Sequence, residues 1–137
     1  MKPIARNLGC LVAALLLATA PALAQSIHVT AATTFPTANP GGFEDVGCRV
    51  DNLLNDTIKV QIVGTVTYSN GAQQTILRPG QPQTLPPDTS LITFIFFAVP
   101  PDAALGTAMF ECAVRATGIP GGAETQRALS TFEVVAP

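Results

Sequence analysis

The sequence holds 137 residues with seven basic and nine acidic side chains, three cysteines, one histidine and no tryptophan. That length fits one domain, and a slightly acidic balance without a basic cluster excludes a surface that holds nucleic acid or anionic lipid by charge. Only 12% of the residues are charged, while Val, Ile, Thr, Gly and Pro are abundant, a composition that suits strands and turns.

The N-terminal stretch reads as a secretory signal. Met1 to Asn7 carries Lys2 and Arg6, Leu8 to Ala20 is almost wholly apolar, and Ala22-Leu23-Ala24 fits the small-x-small cleavage pattern. Pro21 disfavours a cut after Ala20, so cleavage is predicted between Ala24 and Gln25. This gives a signal peptide over 1–24 and one domain over 25–137, bound for the periplasm or the exterior. The apolar run is too short to span a hydrocarbon core of roughly 30 Å comfortably. Cys10 lies at the start of that run, ahead of its apolar core, whereas a lipidated cysteine would follow it. Removing the signal leaves five basic residues against nine acidic ones, a net charge of −4, and leaves two cysteines, Cys48 and Cys112. An even pair in an exported chain predicts a disulfide.

Ile27 to Ala31 alternates apolar and polar residues and predicts a half-buried strand. Thr33 to Gly42 holds Pro36, Pro40 and a Gly pair and predicts a loop. Val46 to Val50 predicts a strand with Val46, Cys48 and Val50 inside. Asp51 to Asp56 suits a turn. Thr57 to Tyr68 has the clearest two-residue period: Ile58, Val60, Ile62, Gly64, Val66 and Tyr68 share one face. Asn70-Gly71 suits a two-residue type I′ hairpin, a register that pairs Tyr68 with Gln73 and Val66 with Thr75. Gln83 to Leu85 is a candidate edge strand. Leu91 to Val99 is apolar on both faces, with Ile92, Phe94, Phe96 and Ala98 on one and Leu91, Thr93, Ile95, Phe97 and Val99 on the other. Such a strand is buried on both sides or offers one to a partner. Asp102 to Leu105 has room for a single helical turn. Thr107 to Ala116 predicts a strand with Ala108, Phe110, Cys112 and Val114 inside, and Glu124 to Val135 a last one with Ala128, Ser130, Phe132 and Val134 inside. Seven to eight short strands between Pro/Gly turns predict an all-β antiparallel sandwich.

Several short phrases carry a resemblance. Leu85-Pro86-Pro87-Asp88-Thr89 leads a strand that ends Phe97-Ala98-Val99-Pro100, and Leu105-Gly106-Thr107 opens the strand of Cys112. With one inward cysteine on an early strand and one on the penultimate strand, the chain resembles bacterial immunoglobulin-like modules of the adhesion-related and glycosidase-associated type. The resemblance covers about Val46 to Val135 and implies an immunoglobulin-like sandwich with one inter-strand disulfide. It implies no catalytic or binding residue, and the chain departs from immunoglobulin domains proper in having no tryptophan to pack on the disulfide.

Candidate chemistry is sparse. His28 is the only histidine, so a nucleophilic dyad or triad would have to be built near the N-terminus. Its sharper reading is a weak metal site formed with the mature N-terminal amine; its plainer one is a solvent-facing strand histidine. Glu44-Asp45 and Asp51 to Asp56 are acidic enough for calcium but lack a calcium-loop pattern. The wide spacing and inward phase of Cys48 and Cys112 favour a structural disulfide over a redox or metal pair. No cofactor motif is present in the sequence. The expected function is therefore an exported, non-enzymatic module that binds a protein or serves as an accessory or structural component of the envelope. Val63, Ile95 and Phe97 are the candidate partner-facing patch. A carbohydrate- or metal-binding secreted module is the alternative. The first needs exposed aromatic rings for sugar faces, and the single tyrosine, Tyr68, is assigned inward.

Overall fold

The computed structural model describes residues 25–137; the predicted signal peptide and Cys10 lie outside the described residues. The strands, in chain order, are β1 (Ile27–Thr33), β2 (Thr37–Ala38), β3 (Phe43–Asn52), β4 (Ile58–Thr67), β5 (Gln73–Leu77), β6 (Gln83–Leu85), β7 (Ser90–Ala98), β8 (Gly106–Thr117) and β9 (Glu124–Val134). They form two sheets. One has the order β1-β3-β7; the other has β2-β9-β8-β4-β5, with β6 against the start of β4. All pairs are antiparallel except β2 with β9. Among the described residues there is no helix, and none long and apolar enough to cross a membrane.

Two-residue alternation explains the core. Ile27, Val46, Cys48 and Val50 face inward from the first sheet, and Ile58, Val60, Val66, Phe110, Val114 and Phe132 from the second. Covering both inner faces is what stabilises such a sandwich. The Phe97 ring meets Phe132 edge-on across the sheets, with centroids 6.3 Å apart, an arrangement favoured by ring quadrupoles. Cys48 on β3 and Cys112 on β8 form a disulfide between the sheets, 6.0 Å apart at Cα and 64 residues apart in sequence. Closing a loop of that length restricts the unfolded chain by about 4 kcal/mol.

The structure departs from the sequence expectations at four places. The hairpin after β4 is a type I turn, not a two-residue one: the Gly71 amide donates to the Tyr68 carbonyl and the Tyr68 amide donates to Ala72. Only Gly71 takes a positive φ, +85°, whereas Asn70 does not. The register therefore moves by one, and Val66 lies opposite Gln74. The segment predicted as one loop contains β2, laid parallel along the last strand by Glu133 N–H to Pro36 O and Val135 N–H to Ala38 O. Pro100 to Ala103 closes as a turn, with no helical turn. Ile95 and Phe97, expected to face a partner, are each only 8% exposed and belong to the core.

Glu44, at the start of β3, continues the inward phase of Val46 and Cys48 and is completely buried. Its Oε1 accepts hydrogen bonds from the Phe35 and Asp45 amides, both at 3.0 Å, which ties the segment before β2 to the sheet. Its Oε2 has no partner. Asn52, at the other end of β3, is buried and satisfied: Nδ2 donates to the carbonyls of Asp56, Leu85 and Pro86, and Oδ1 accepts from the Leu54 amide.

Candidate functional site

The inward phase of β3 and β7 decides what their outer face presents. Because Val46, Cys48 and Val50 point in, Phe43, Asp45, Gly47, Arg49 and Asp51 point out. Pairing sets them beside the outward residues of β7: Asp51 with Ser90, Arg49 with Ile92, Gly47 with Phe94, Asp45 with Phe96 and Phe43 with Ala98. The result is an apolar face in the open. Phe94 is 74% exposed, Phe96 66%, Phe43 58% and Ile92 53%. The Phe43 and Phe96 rings stack at 5.1 Å with planes 11° apart. Phe94 lies over Gly47, where a side chain on the glycine would come within 3.6 Å of the ring. Beside it is a shallow depression of about 210 Å³ between Thr30, Ala32, Arg49 and Ile92. A contiguous patch of this kind on a sheet marks an interaction surface more often than chance exposure does.

The edge of this sheet is open too. Among the described residues β7 pairs with β3 alone, and its nine residues carry no charge and no proline, the features by which edge strands are usually protected. The opposite edge is closed, since β1 packs on β9 through a Thr33 to Ser130 hydroxyl contact of 2.6 Å.

Of the three patch residues expected from sequence, Val63 alone is on an outer face. It lies opposite Ala113 on β8, on the other sheet from Ile95 and Phe97, and the structure does not bring the three together. The exposed set is the alternate face of the same strand. The phase of β3 was the signal that pointed to it: extending Val46, Cys48 and Val50 back by two and three residues puts Glu44 in and Phe43 out.

At the end of the face away from Phe43 lies a polar cluster. Arg49 Nε donates to Asp51 Oδ1 at 2.8 Å, Ser90 Oγ donates to the same oxygen, and His28 Nδ1 faces Asp51 Oδ2 at 3.4 Å. The Ser90 hydrogen bond, followed by those from Arg49 and His28, holds the Asp51 carboxyl below its ordinary pKa. This cluster lacks the order of a hydrolytic triad, because the serine donates to the aspartate and not to the histidine. Among the described residues no three His, Cys, Asp or Glu side chains converge on a metal-sized point. Glu44 is turned into the core with Oε1 on two backbone amides, so it does not join Asp45 in a surface calcium loop. Burial raises its pKa. Tyr68 is buried, its hydroxyl 2.6 Å from Gln74 Oε1, and desolvation pushes it up to about 12. The cleft of about 330 Å³ between Ile62, Arg78, Gln83 and Thr93 is lined by a single ionisable group, Arg78.

No protein-family model matches the sequence, and no curated protein matches it. Solved structures do match in shape. A CARDB domain from Pyrococcus furiosus, solved in complex with di-metal ions, aligns with a TM-score of 0.56 at 12% identity, over 80% of this chain and 87% of that one. The PapD-like domain of human CEP192 aligns at 0.55 and 15% identity, over 82% and 87%. The native conformation of Escherichia coli alpha-2-macroglobulin aligns at 0.62 and 16% identity, over 82% of this chain and 7% of that one. The fold is an immunoglobulin-like sandwich. At these identities the likeness is one of fold, and a sandwich of this kind hosts many unrelated functions. The immunoglobulin-like expectation drawn from the sequence phrases therefore holds at the level of architecture, with nine strands in place of seven or eight; the short β2 is the one the sequence did not show.

Proposed function

We propose that this protein is an exported, non-enzymatic immunoglobulin-like module that works by binding a protein through the outer face of β3 and β7. One observation carries the reading: three phenylalanines and an isoleucine lie side by side in the open, on a sheet that its own domain leaves uncovered. Desolvating such a cluster is worth about 25 cal/mol per Å² of apolar surface, and buried aromatic anchors dominate protein interfaces. A sugar site would need polar groups aimed around the rings; Asp45 beside Phe96 and Arg49 beside Ile92 are the charged side chains within the apolar stretch of this face, and Gly47 and Ala32 beside Phe94 offer none.

The test is crosslinked affinity capture from the native envelope, run in parallel with the wild type and a Phe94→Lys variant. A stoichiometric protein partner, whether another protein or a second copy of this chain, should be held by the wild type and lost by the variant. Equal capture by both, or recovery of glycan alone, would overturn the reading. Export is checked by the N-terminus of the protein recovered outside the cytoplasm, expected at Gln25.

A further inference from the structure

The same face is complementary to itself, and we infer that its occupant is a second copy of this chain, docked face to face. This rests on the protein-binding reading above and names the partner. The argument begins with the order of residues along β3. Asp45 and Arg49 stand two residues to either side of Gly47, both pointing outward. Each has its own apolar neighbour on β7: Asp45 pairs with Phe96, Arg49 with Ile92, and Gly47 with Phe94 between them.

A two-fold axis running across the strands through the Gly47–Phe94 row lays the two sheets together with their strands antiparallel. This operation places Arg49 of each copy over Asp45 of the other, twice, Ile92 over Phe96, twice, and Phe43 over Asp51 at each end. The two Phe94 rings meet at the axis, each beside the hollow left by Gly47, which gives room for an offset stack. An interface of this kind is isologous and closes at two copies. Asp45 makes no ion pair among the described residues, whereas Arg49 uses Nε on Asp51 and Nη2 on Ser90 and keeps further N–H groups for a partner. A pair placed at the rim of an apolar centre chiefly sets register and orientation.

The area fits a weak dimer. With a phenylalanine side chain at roughly 200 Å², the three rings, each more than half exposed, leave about 400 Å² uncovered, and Ile92 brings the face to about 500 Å². Two copies together would cover up to about 1,000 Å², the size of a weak interface in exchange with free monomer. Sheets packed face to face with strands nearly aligned are a common arrangement.

The experiment is sedimentation analysis of the protein purified from cells expressing the full chain. The wild type should be a dimer in concentration-dependent exchange with monomer. Phe94→Lys, which sets two like charges against each other on the axis, should be monomeric, with a melting temperature that matches the wild type's in solutions dilute enough to be monomeric. Asp45→Arg alone and Arg49→Asp alone should each weaken the dimer at least about tenfold. Mixed together, those two variants should form a one-to-one heterodimer, because both cross-pairs are again opposite in sign. A wild type that stays monomeric, or a dimer that persists in Phe94→Lys, would overturn the inference, as would failure of the mixed variants to associate. A monomeric wild type that still captures a different protein, lost in Phe94→Lys, would overturn the second copy as occupant while leaving the binding function standing. Failure of both measurements would remove both.

Discussion

The two sheets of this sandwich treat their outer faces differently. Outside β4, β8 and β9 the chain places Lys59, Gln61, Thr65, Thr67, Glu111, Arg115, Arg127 and Glu133, with Arg127 donating to Glu111 at 3.2 Å. Leu129 and Met109 are exposed there, but among polar neighbours. Outside β3 and β7 the chain places a cluster of rings around Asp45, with Arg49, Asp51, Ser90 and His28 gathered at one end. Both faces fold onto the same core, so packing inside the domain does not account for the difference. A face that serves only to be wetted tolerates scattered apolar residues, whereas contiguous rings are a standing cost in water unless something covers them. Function is read more easily from that contrast than from any single residue.

The largest effect should come from reversing the contrast within β7 itself. Phe97 and Phe94 are chemically identical and three residues apart, but one packs on Phe132 and the other faces solvent. Phe97→Ala should cost about 3–5 kcal/mol by leaving a cavity, and Phe97→Lys should prevent folding. Phe94→Ala should change the stability of the monomer by no more than about 0.5 kcal/mol, read at concentrations too low for dimers to form. Urea unfolding of the two alanine variants decides this, and comparable losses at both positions would mean that the outer face is covered within the domain.

This pair also shows what the sequence can and cannot say. β4 was legible because water and core demand different residues on its two faces: Lys59, Gln61 and Thr65 against Ile58, Val60 and Val66. The inward cysteines on β3 and β8 were legible for the same reason. β7 was not, because Ile92, Phe94 and Phe96 are as apolar as Leu91, Ile95 and Phe97, so composition gives its period but not its phase. The phase comes from the neighbouring strand, through a register that only the folded sheet supplies. Other misses have similar causes. Asn70-Gly71 fits both a two-residue turn and a longer one with a single positive φ at Gly71, and the two differ by one residue of register. β2 is two residues long and is laid along β9 by backbone hydrogen bonds, with Ala38 in the core, too short to leave a pattern in side chains. Of the candidate site, Ile95 and Phe97 belong to the opposite phase of β7 and Val63, outward as expected, lies on the other sheet, while β7, the strand that carries the exposed rings, is legible.

The disulfide joins the wetted sheet to the apolar one, and removing it should cost about 4 kcal/mol. A Cys48→Ala, Cys112→Ala double variant should unfold at correspondingly lower urea. If the apolar face is a binding surface and not a weakness in the core, the folded variant should still lose association on Phe94→Lys. Loss of association in the cysteine variant alone, with the fold intact by circular dichroism, would mean that the face depends on the tie.

A smaller effect separates surface hydrophobicity from function. Leu129, 55% exposed on the wetted sheet, is the matched control for Phe94. Leu129→Lys should shift stability by no more than about 0.5 kcal/mol and leave association unchanged, whereas Phe94→Lys abolishes association at similar stability. Equal losses of binding from both substitutions would show that overall surface hydrophobicity drives association and that the β3–β7 face has no special part in it.

The smallest effect concerns Glu44, which lies beneath the end of the apolar face next to outward-facing Phe43 and Asp45. Burial raises its pKa above the ordinary 4.5, against the two amide hydrogen bonds on Oε1 that lower it. Since the folded protein holds this proton more tightly than the unfolded chain, Glu44 favours folding most at acid pH. That contribution declines as pH rises from about 4.5 through the folded-state value. Asp51 acts in the opposite sense, its lowered pKa contributing stability that is lost as pH falls, but it is present in both proteins compared here. A Glu44→Gln variant keeps an acceptor for the Phe35 and Asp45 amides and has no proton to lose. The stability difference between wild type and variant should therefore move in the variant's favour across that window. Urea midpoints measured from pH 4 upward at constant ionic strength give the answer: a difference that does not change with pH would show that the Glu44 carboxyl titrates alike in the folded and unfolded chains.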